Sequence, residues 1–158
     1  MFGVLVLLSL TGFGYSACPQ GWQSDYGHCY QFNTSNRKTW TDAATACRYE
    51  DVRAHLVYID SAEEDLYIVS KLKPLVDTGQ SSDKLTSVWI GGEDPVEGAW
   101  QWYGTGDPIV EYTNWYPGQP DSGSGDHDED CVCLVGNHNY LWQDHRCTEP
   151  MFYVCDME

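Results

Sequence analysis

The sequence predicts a single α+β domain. Two segments with helix-capping residues lie before residue 75, and short apolar segments bounded by glycine and proline dominate after residue 87. Between the later strand-like segments lies a stretch rich in glycine, proline and carboxylates, which is typical of a long loop. No internal repeat and no linker divides the chain, so we expect one folded unit with this loop as its special feature.

The chain begins with an apolar segment that has the features of a secretory signal peptide. Val4 to Leu10 is apolar, small residues follow as far as Ala17, and no charged side chain occurs before Asp25. The segment is too short to span a bilayer. We predict a signal peptide at residues 1–17, with cleavage after Ser16 as the alternative, and a folded domain at residues 18–158.

The first half of the domain predicts a β-hairpin, two helices and a brief strand. The segment 18–32 has two strand-like parts around a glycine-containing turn, and Asn33 then starts an Asn-Thr-Ser glycosylation sequon, expected on a loop. Thr41 is the predicted cap of a helix through residue 48. A short strand is predicted at 56–59. Ser61 and Glu64 form a capping-box pattern for a second helix, which Pro74 ends.

The second half predicts a surface loop followed by short strands. Residues 77–87 are rich in Gly, Ser, Asp and Thr, which indicates the loop. Apolar segments at 88–92, 98–103, 129–135, 140–142 and 151–155 indicate the strands. Most of the seven tryptophans fall on or beside these segments. We expect them to pack in the core rather than to contact a ligand.

Charge and cysteine content indicate an extracellular protein. The chain has 24 acidic and 8 basic side chains, a net charge of -16, which makes nucleic acid an improbable partner. Seven cysteines indicate an oxidising compartment and a disulfide framework with one cysteine left over. Together with the leader, they predict a secreted protein without a membrane span.

The stretch from Trp115 to Asp144 predicts a calcium site. Between Gln119 and Asp144 the loop carries carboxylates and side-chain amides at irregular spacing. Calcium takes six to eight oxygen ligands of these kinds in flexible geometry. Asp126 and Asp128 are expected to be solvated loop charges. His127 and His145 have no second histidine or cysteine at zinc-ligand spacing, so we expect them to line or rim the loop.

A series of motifs, in order along the whole mature chain, resembles the C-type lectin domain. The motifs are Trp89-Ile90-Gly91-Gly92, Gly98-Ala99-Trp100-Gln101-Trp102, Asn114-Trp115, Gln119-Pro120-Asp121, Glu129-Asp130-Cys131, Trp142-Gln143-Asp144 and Phe152-Tyr153-Val154-Cys155, with the cysteine-containing segments before them. The chain is most similar in character to small secreted invertebrate lectins and perlucin-like shell proteins.

This resemblance implies a double-loop fold in which two helices flank small antiparallel sheets and a long loop region binds calcium and sugar. It also implies the disulfide pairs Cys18–Cys29, Cys47–Cys155 and Cys131–Cys147. Cys133 departs from the family pattern. We expect it to be a buried, unpaired thiol, with an intermolecular bridge as the alternative.

The resemblance further assigns the metal ligands. In sugar-binding members the peptide before the central proline is cis, and a sugar completes the calcium shell with two hydroxyls. The implied calcium and sugar ligands here are Gln119, Asp121, Glu129, Gln143 and Asp144, with His127 as a further sugar contact. An auxiliary calcium position is implied at Glu93, Glu97 and Asp130, with Glu129 shared. Gln143 replaces the usual Asn, and no Trp follows Asp121.

The order Gln-Pro-Asp is the family's galactose-type arrangement, so we expect glycans with terminal galactose or N-acetylgalactosamine as partners and calcium as the cofactor. A role in innate defence is the expectation, with a structural or biomineral-associated protein as the alternative. An enzyme is not expected, because the carboxylates near Gln119 are assigned to metal and no nucleophile and base pair is evident. Agglutination by a single domain would require a homo-oligomer.

Overall fold

The computed structural model describes residues 18–123 and 128–158. The predicted signal peptide and its cleavage site lie outside these residues, as do Asp126 and His127, and they stay predictions. Eight strands, three α-helices and one 3-10 helix form the described fold. The strands are β1 (Gln23–Asp25), β2 (His28–Lys38), β3 (His55–Leu56), β4 (Ser87–Glu93), β5 (Gln101–Trp102), β6 (Cys131–Val135), β7 (Leu141–His145) and β8 (Met151–Met157); the helices are α1 (Trp40–Glu50), α2 (Ala62–Leu72), α3 (Asp83–Thr86) and the 3-10 helix Gly136–His138.

The strands form one mixed sheet in the order β1-β2-β8-β4-β6-β7, with β3 paired to β8 and β5 paired to β4. The C-terminal strand β8 lies inside the sheet, antiparallel to β2 and parallel to β4. It is buried along its whole length. An early strand and the last strand of the described residues therefore pair in the sheet, and the α+β class predicted from the sequence is confirmed.

Both main helices begin at side-chain caps. Ser61 accepts a hydrogen bond from the backbone N–H of Glu64, as the capping-box pattern predicts. The Glu64 side chain accepts from the N–H of Asp60, one residue before the cap. The prediction that Thr41 caps α1 is wrong, because Thr39 makes that bond to the N–H of Asp42 and the helix already begins at Trp40.

Several other element predictions need correction. Asn33 lies within β2 rather than on a loop, and its side-chain amide donates to the Gln31 carbonyl and side-chain oxygens. The segment 77–87 contains the short helix α3. The strands expected at 56–59 and 98–103 are shorter, at His55–Leu56 and Gln101–Trp102. The Val57 N–H nonetheless donates to the Val154 carbonyl, and the Val57 carbonyl accepts from the Gly91 N–H. Val57 is therefore still hydrogen-bonded to the sheet.

Two apolar clusters form the core, one behind α2 and one behind α1. The tryptophans pack in or against these clusters, as predicted, and Trp89 and Trp142 are fully buried.

The three disulfide pairs implied by the resemblance are present. Cys133 is a buried free thiol, and burial raises its pKa far above the ordinary value. The prediction of a buried unpaired cysteine is confirmed.

The loop between β5 and β6 is tied to the core by a buried carboxylate. Asp65, on α2, accepts hydrogen bonds from Tyr112 Oη at 3.1 Å, Asn114 Nδ2 at 2.7 Å and Trp142 Nε1 at 3.3 Å. The loop backbone also pairs with β7, where the Tyr116 N–H donates to the Trp142 carbonyl at 2.8 Å. These bonds place the following loop segment next to the end of β7.

No helix among residues 18–123 and 128–158 is long and apolar enough to cross a bilayer.

Candidate functional site

Three carboxylates from different parts of the chain meet beside β7. Asp121 comes from the long loop, Glu129 from just before β6, and Asp144 from β7 itself. One ligand oxygen from each lies within 4.8 Å of the others. Asp144 is buried, Glu129 is half-buried and Asp121 is exposed, so the cluster opens to solvent on one side. We call these three residues the carboxylate cluster.

The loop backbone closes tightly around this cluster. The Asp144 carboxylate accepts from the N–H groups of Asp121, at 3.0 Å, and of Ser122, at 2.7 Å. Gly123 has φ +65°, and a Cβ at that position would lie 2.9 Å from the Glu129 carboxyl carbon. Glycine suits the left-handed backbone here, and a side chain at this position would have to displace the Glu129 carboxylate.

The electrostatics of the cluster favour a cation. Burial raises the pKa of Glu129, and the neighbouring carboxylates of Asp144 and Asp121 raise it further, although Arg146 opposes them. Burial likewise raises the pKa of Asp144, whereas the hydrogen bonds from the backbone N–H groups of Ser122 and Asp121 lower it. Three carboxylates held this close repel one another when all are ionised. A divalent cation would remove that repulsion.

Gln119 supplies a fourth oxygen of the kind calcium takes. Its peptide bond to Pro120 is cis, as the resemblance implied. The side-chain oxygen Oε1 is buried and has no hydrogen-bond partner among the described residues. Buried polar atoms are normally satisfied, so an unpartnered carbonyl oxygen two residues from Asp121 fits the donor set of a calcium ion.

Gln143, the remaining predicted ligand, has a neighbour that sequence analysis missed. Its amide nitrogen contacts Nδ1 of His138, and the His138 ring stacks on Tyr116 with the ring centroids 4.5 Å apart. Gln143 and Asp144 occupy alternating positions on β7, and only Asp144 is buried. Adjacent strand residues point to opposite faces, and the Gln143 amide already contacts His138, so its role as a ligand stays a prediction.

Two acids of the predicted auxiliary site, Glu97 and Asp130, lie near Asp94, a residue that sequence analysis did not select. Glu93 accepts a bond from Gln101 Nε2 at 3.1 Å, and Glu97 accepts from Ser122 Oγ. Asp94 is only 3% exposed, and its N–H donates to the Asp130 carbonyl. Burial raises the pKa of Asp94, and the carboxylates of Asp130 and Glu97 contribute. The signal for Asp94 was its place directly after the buried strand β4.

His127, the predicted additional sugar contact, lies outside the described residues and stays a prediction. His145 is partly buried, and its Nδ1 accepts from the N–H of Arg146. Asp128 is exposed and pairs with Arg146 at 3.2 Å, in agreement with a solvated loop charge.

Comparison with known proteins gives the family. Residues 36–157 match the family model described as the lectin C-type domain. The chain belongs to the C-type lectin domain family. Members of this family are non-enzymatic binding domains, so the expectation of a binding protein holds.

Individual relatives cover most of this chain. Perlucin from Haliotis laevigata is 34% identical over 143 residues, which is 89% of this chain and 83% of perlucin. Asialoglycoprotein receptor 1 from Rattus norvegicus is 34% identical over 89% of this chain, but this chain spans only 45% of that receptor. The carbohydrate-recognition domain of the mouse scavenger receptor C-type lectin superposes with a TM-score of 0.72 at 33% identity, covering 90% of this chain and 98% of that one.

Proposed function

We propose that this protein is a secreted, calcium-dependent lectin that binds terminal galactose or N-acetylgalactosamine. The observation that carries the proposal is the meeting of Asp121, Glu129 and Asp144, together with the buried, unpartnered oxygen of Gln119 two positions before Asp121 in the chain. Together with Gln143 they offer only oxygen ligands, the set that calcium takes. Calcium would supply a cation to which two neighbouring sugar hydroxyls bind directly.

The protein's own side chains would orient the sugar. An ionised carboxylate only accepts hydrogen bonds, whereas a side-chain amide also donates through its nitrogen. Placing Gln119 before Asp121 fixes which sugar hydroxyl meets a donor and which meets an acceptor. The similarity to a receptor named for asialoglycoproteins supports a glycan ligand. The three disulfides suit an extracellular location.

The test is retention of the refolded mature protein on galactose and mannose resins. We expect retention on galactose with calcium and release by EDTA. Asp121→Ala should abolish calcium-dependent retention, since loss of one ligand lowers metal affinity by more than the roughly 10- to 100-fold that follows loss of a supporting residue. Asp128→Asn is the matched control. Asp128 is an exposed acid of the same loop, and its carboxylate pairs with Arg146 rather than with the cluster.

A double variant tests the sugar preference separately from calcium. Gln119→Glu with Asp121→Asn reverses the amide and the carboxylate, and we expect retention to move from the galactose to the mannose resin. Retention of the unmodified protein on mannose would contradict the galactose assignment while leaving the calcium mechanism intact.

The alternative is a structural or biomineral-associated role without calcium-dependent sugar binding. The net charge of -16 favours it, since such a surface attracts cations whatever the site does. Adsorption to calcium carbonate that is equal for the unmodified protein and Asp121→Ala, without retention on either resin, would support this role against the lectin.

A further inference from the structure

A cleft of about 220 Å³ lies between the end of α1, the segment that contains β3 and the turn after β5. Most of its wall is apolar and comes from Ala44, Val52 and Ala54, together with Tyr58 and Tyr103. None of its residues belongs to the carboxylate cluster or to the predicted auxiliary site. We call it the α1 cleft.

The aromatic part of this wall is held in place by its neighbours. The Tyr58 ring lies between the rings of His55 and Trp102, with centroid distances of 4.1 and 5.3 Å. The Tyr58 hydroxyl donates to the Tyr103 carbonyl. The Tyr103 ring meets the edge of Trp40 at a centroid distance of 4.9 Å. The α1 cleft is therefore preformed, and a ligand would not have to order its wall on binding.

The α1 cleft differs from the rest of the surface in the sign of its charge. Two arginines, Arg48 and Arg53, line it, and no aspartate or glutamate does. Three larger clefts, of about 360, 410 and 440 Å³, each have at least two carboxylates in their walls. The whole chain has 24 acidic and 8 basic side chains. A cleft without carboxylates in such a protein favours an anionic ligand.

The two arginines differ in what they can still bind. Arg53 is already paired with Asp51, through Nε at 3.0 Å and Nη2 at 2.9 Å. Arg48 lies in the last turn of α1, and its side chain forms no hydrogen bond or ion pair with another described residue. A guanidinium has five N–H donors in a planar fork that matches a carboxylate. Arg48 is therefore the available anion partner at this wall.

The size and polarity of the α1 cleft define the kind of anion. Small-molecule sites are mostly apolar with a few polar groups that orient the ligand, and drug-sized ligands occupy about 300–1,000 Å³. A cleft of about 220 Å³ takes a smaller molecule. An inorganic anion would leave the apolar wall without a partner. A carboxylate attached to a small ring or alkyl group would satisfy both the guanidinium and the wall.

We propose that the α1 cleft binds a small organic carboxylate. The carboxylate pairs with Arg48, and the apolar part of the ligand packs against Ala44 and Ala54, which are 4% and 2% exposed. Burial of apolar surface then adds to an ion pair that is modest by itself because Arg48 is exposed. The inference does not depend on the lectin proposal, since the two sites share no residue.

Nuclear magnetic resonance titration of the mature protein with sodium benzoate tests the site. Metal is first removed on a chelating resin and the buffer contains no other carboxylate, so that calcium-bridged binding at the carboxylate cluster does not contribute. We expect saturable shifts of the backbone amides of Ala54, Gly104 and Thr105, which line the cleft. Benzyl alcohol lacks the charge and acetate lacks the ring, so each should bind at least about fivefold more weakly.

Arg48→Gln keeps a long polar side chain without its charge. We expect it to weaken benzoate binding about fivefold, the upper end for an ion pair that stays partly exposed. Lys73→Gln is the control, because it removes the same charge from an exposed side chain that does not line the cleft. Its benzoate affinity should match that of the unmodified protein.

Equal benzoate affinity in the unmodified protein and in Arg48→Gln would overturn the proposal, as would benzyl alcohol that binds as tightly as benzoate. Shifts confined to amides outside the α1 cleft would refute the location. An equal loss in Lys73→Gln would show a general effect of net charge and would also contradict a specific site.

Discussion

At the scale of single residues, the position of the Glu129 carboxylate in the cluster depends on the small size of Gly123. Gly123 combines a positive φ with a Cβ position that Glu129 already fills. The sequence indicated Gly123 as a loop residue, and Asp121, Glu129 and Asp144 as ligands through the resemblance. It could not show that Gly123 packs on Glu129, because neither residue lies in a helix or strand whose regular spacing would relate the two.

Gly123→Ala should weaken calcium binding at least tenfold, because the new methyl group would displace the Glu129 carboxylate from the cluster. The change is measured by calorimetric titration with calcium. Gly106→Ala is the matched control, since Gly106 also has a positive φ, +74°, but nothing lies within 4 Å of its Cβ position. Both variants carry backbone strain, and equal calcium affinity in the two would contradict this account of Gly123.

The raised pKa values of Glu129 and Asp144 predict a pH-dependent effect of calcium. A carboxyl with a raised folded pKa stabilises the calcium-free fold below its unfolded pKa, near 4, and loses that contribution as pH rises through the folded pKa. Calcium requires both groups ionised. The increase in Tm caused by calcium over EDTA should therefore be larger at about pH 7.5 than at about pH 5.

This effect is measured by scanning calorimetry at the two pH values. Asp121→Ala should show a much smaller calcium effect at both, which separates the cluster from general screening of the acidic surface. A calcium effect that is as large at the lower pH would argue against Glu129 and Asp144 as ligands.

At the scale of elements, local sequence signals placed the main helices and strands, and the errors lie at their ends. The capping box at Ser61 located the start of α2, since the signal is contained within four residues. For α1, Thr39 and Thr41 are both suitable caps. The choice depends on Trp40, which packs in the core and donates its backbone N–H to the carbonyl of Cys147. Cys147 is distant in the chain, so this contact is not visible in the local sequence.

Ser61→Ala should destabilise the domain by about 1 kcal/mol, because it removes the acceptor for the N–H of Glu64. The measurement is urea denaturation followed by tryptophan fluorescence. Ser82→Ala is the matched control, since Ser82 precedes α3 at the N-cap position without a side-chain cap bond. A similar loss in both variants would show that the cap of α2 contributes nothing specific.

At the scale of the whole molecule, the buried carboxylate of Asp65 connects α2 to the loop and to β7. Its three donors come from Tyr112, Asn114 and Trp142. Burial raises the pKa of Asp65, and the three hydrogen bonds oppose that shift. The network holds the loop at the edge of the sheet where the carboxylate cluster forms.

Asp65→Ala should reduce the free energy of unfolding by about 2–4 kcal/mol, because it leaves buried donors without an acceptor. Asp65→Asn retains one carbonyl acceptor and should lose less. Asp60→Ala is the control, since Asp60 is exposed and, among the described residues, bonds only through its backbone N–H. Its effect should stay within about 0.5 kcal/mol. Guanidinium denaturation measures all three, and an Asp65→Ala variant as stable as the control would contradict the anchoring role.

The sequence by itself determined the class of fold, the main helices, the leftover cysteine and, through the ordered motifs, the family and the residues of the carboxylate cluster. These follow from short spacings and from residue types that stand close together in the chain. The tertiary structure alone decided that Asp94 is the buried acid near Glu97, that His138 contacts Gln143, and that Arg48 lies in the wall of an apolar cleft. The cleft forms only when α1, the segment that contains β3 and the turn after β5 pack against one another, and no local pattern encodes that contact.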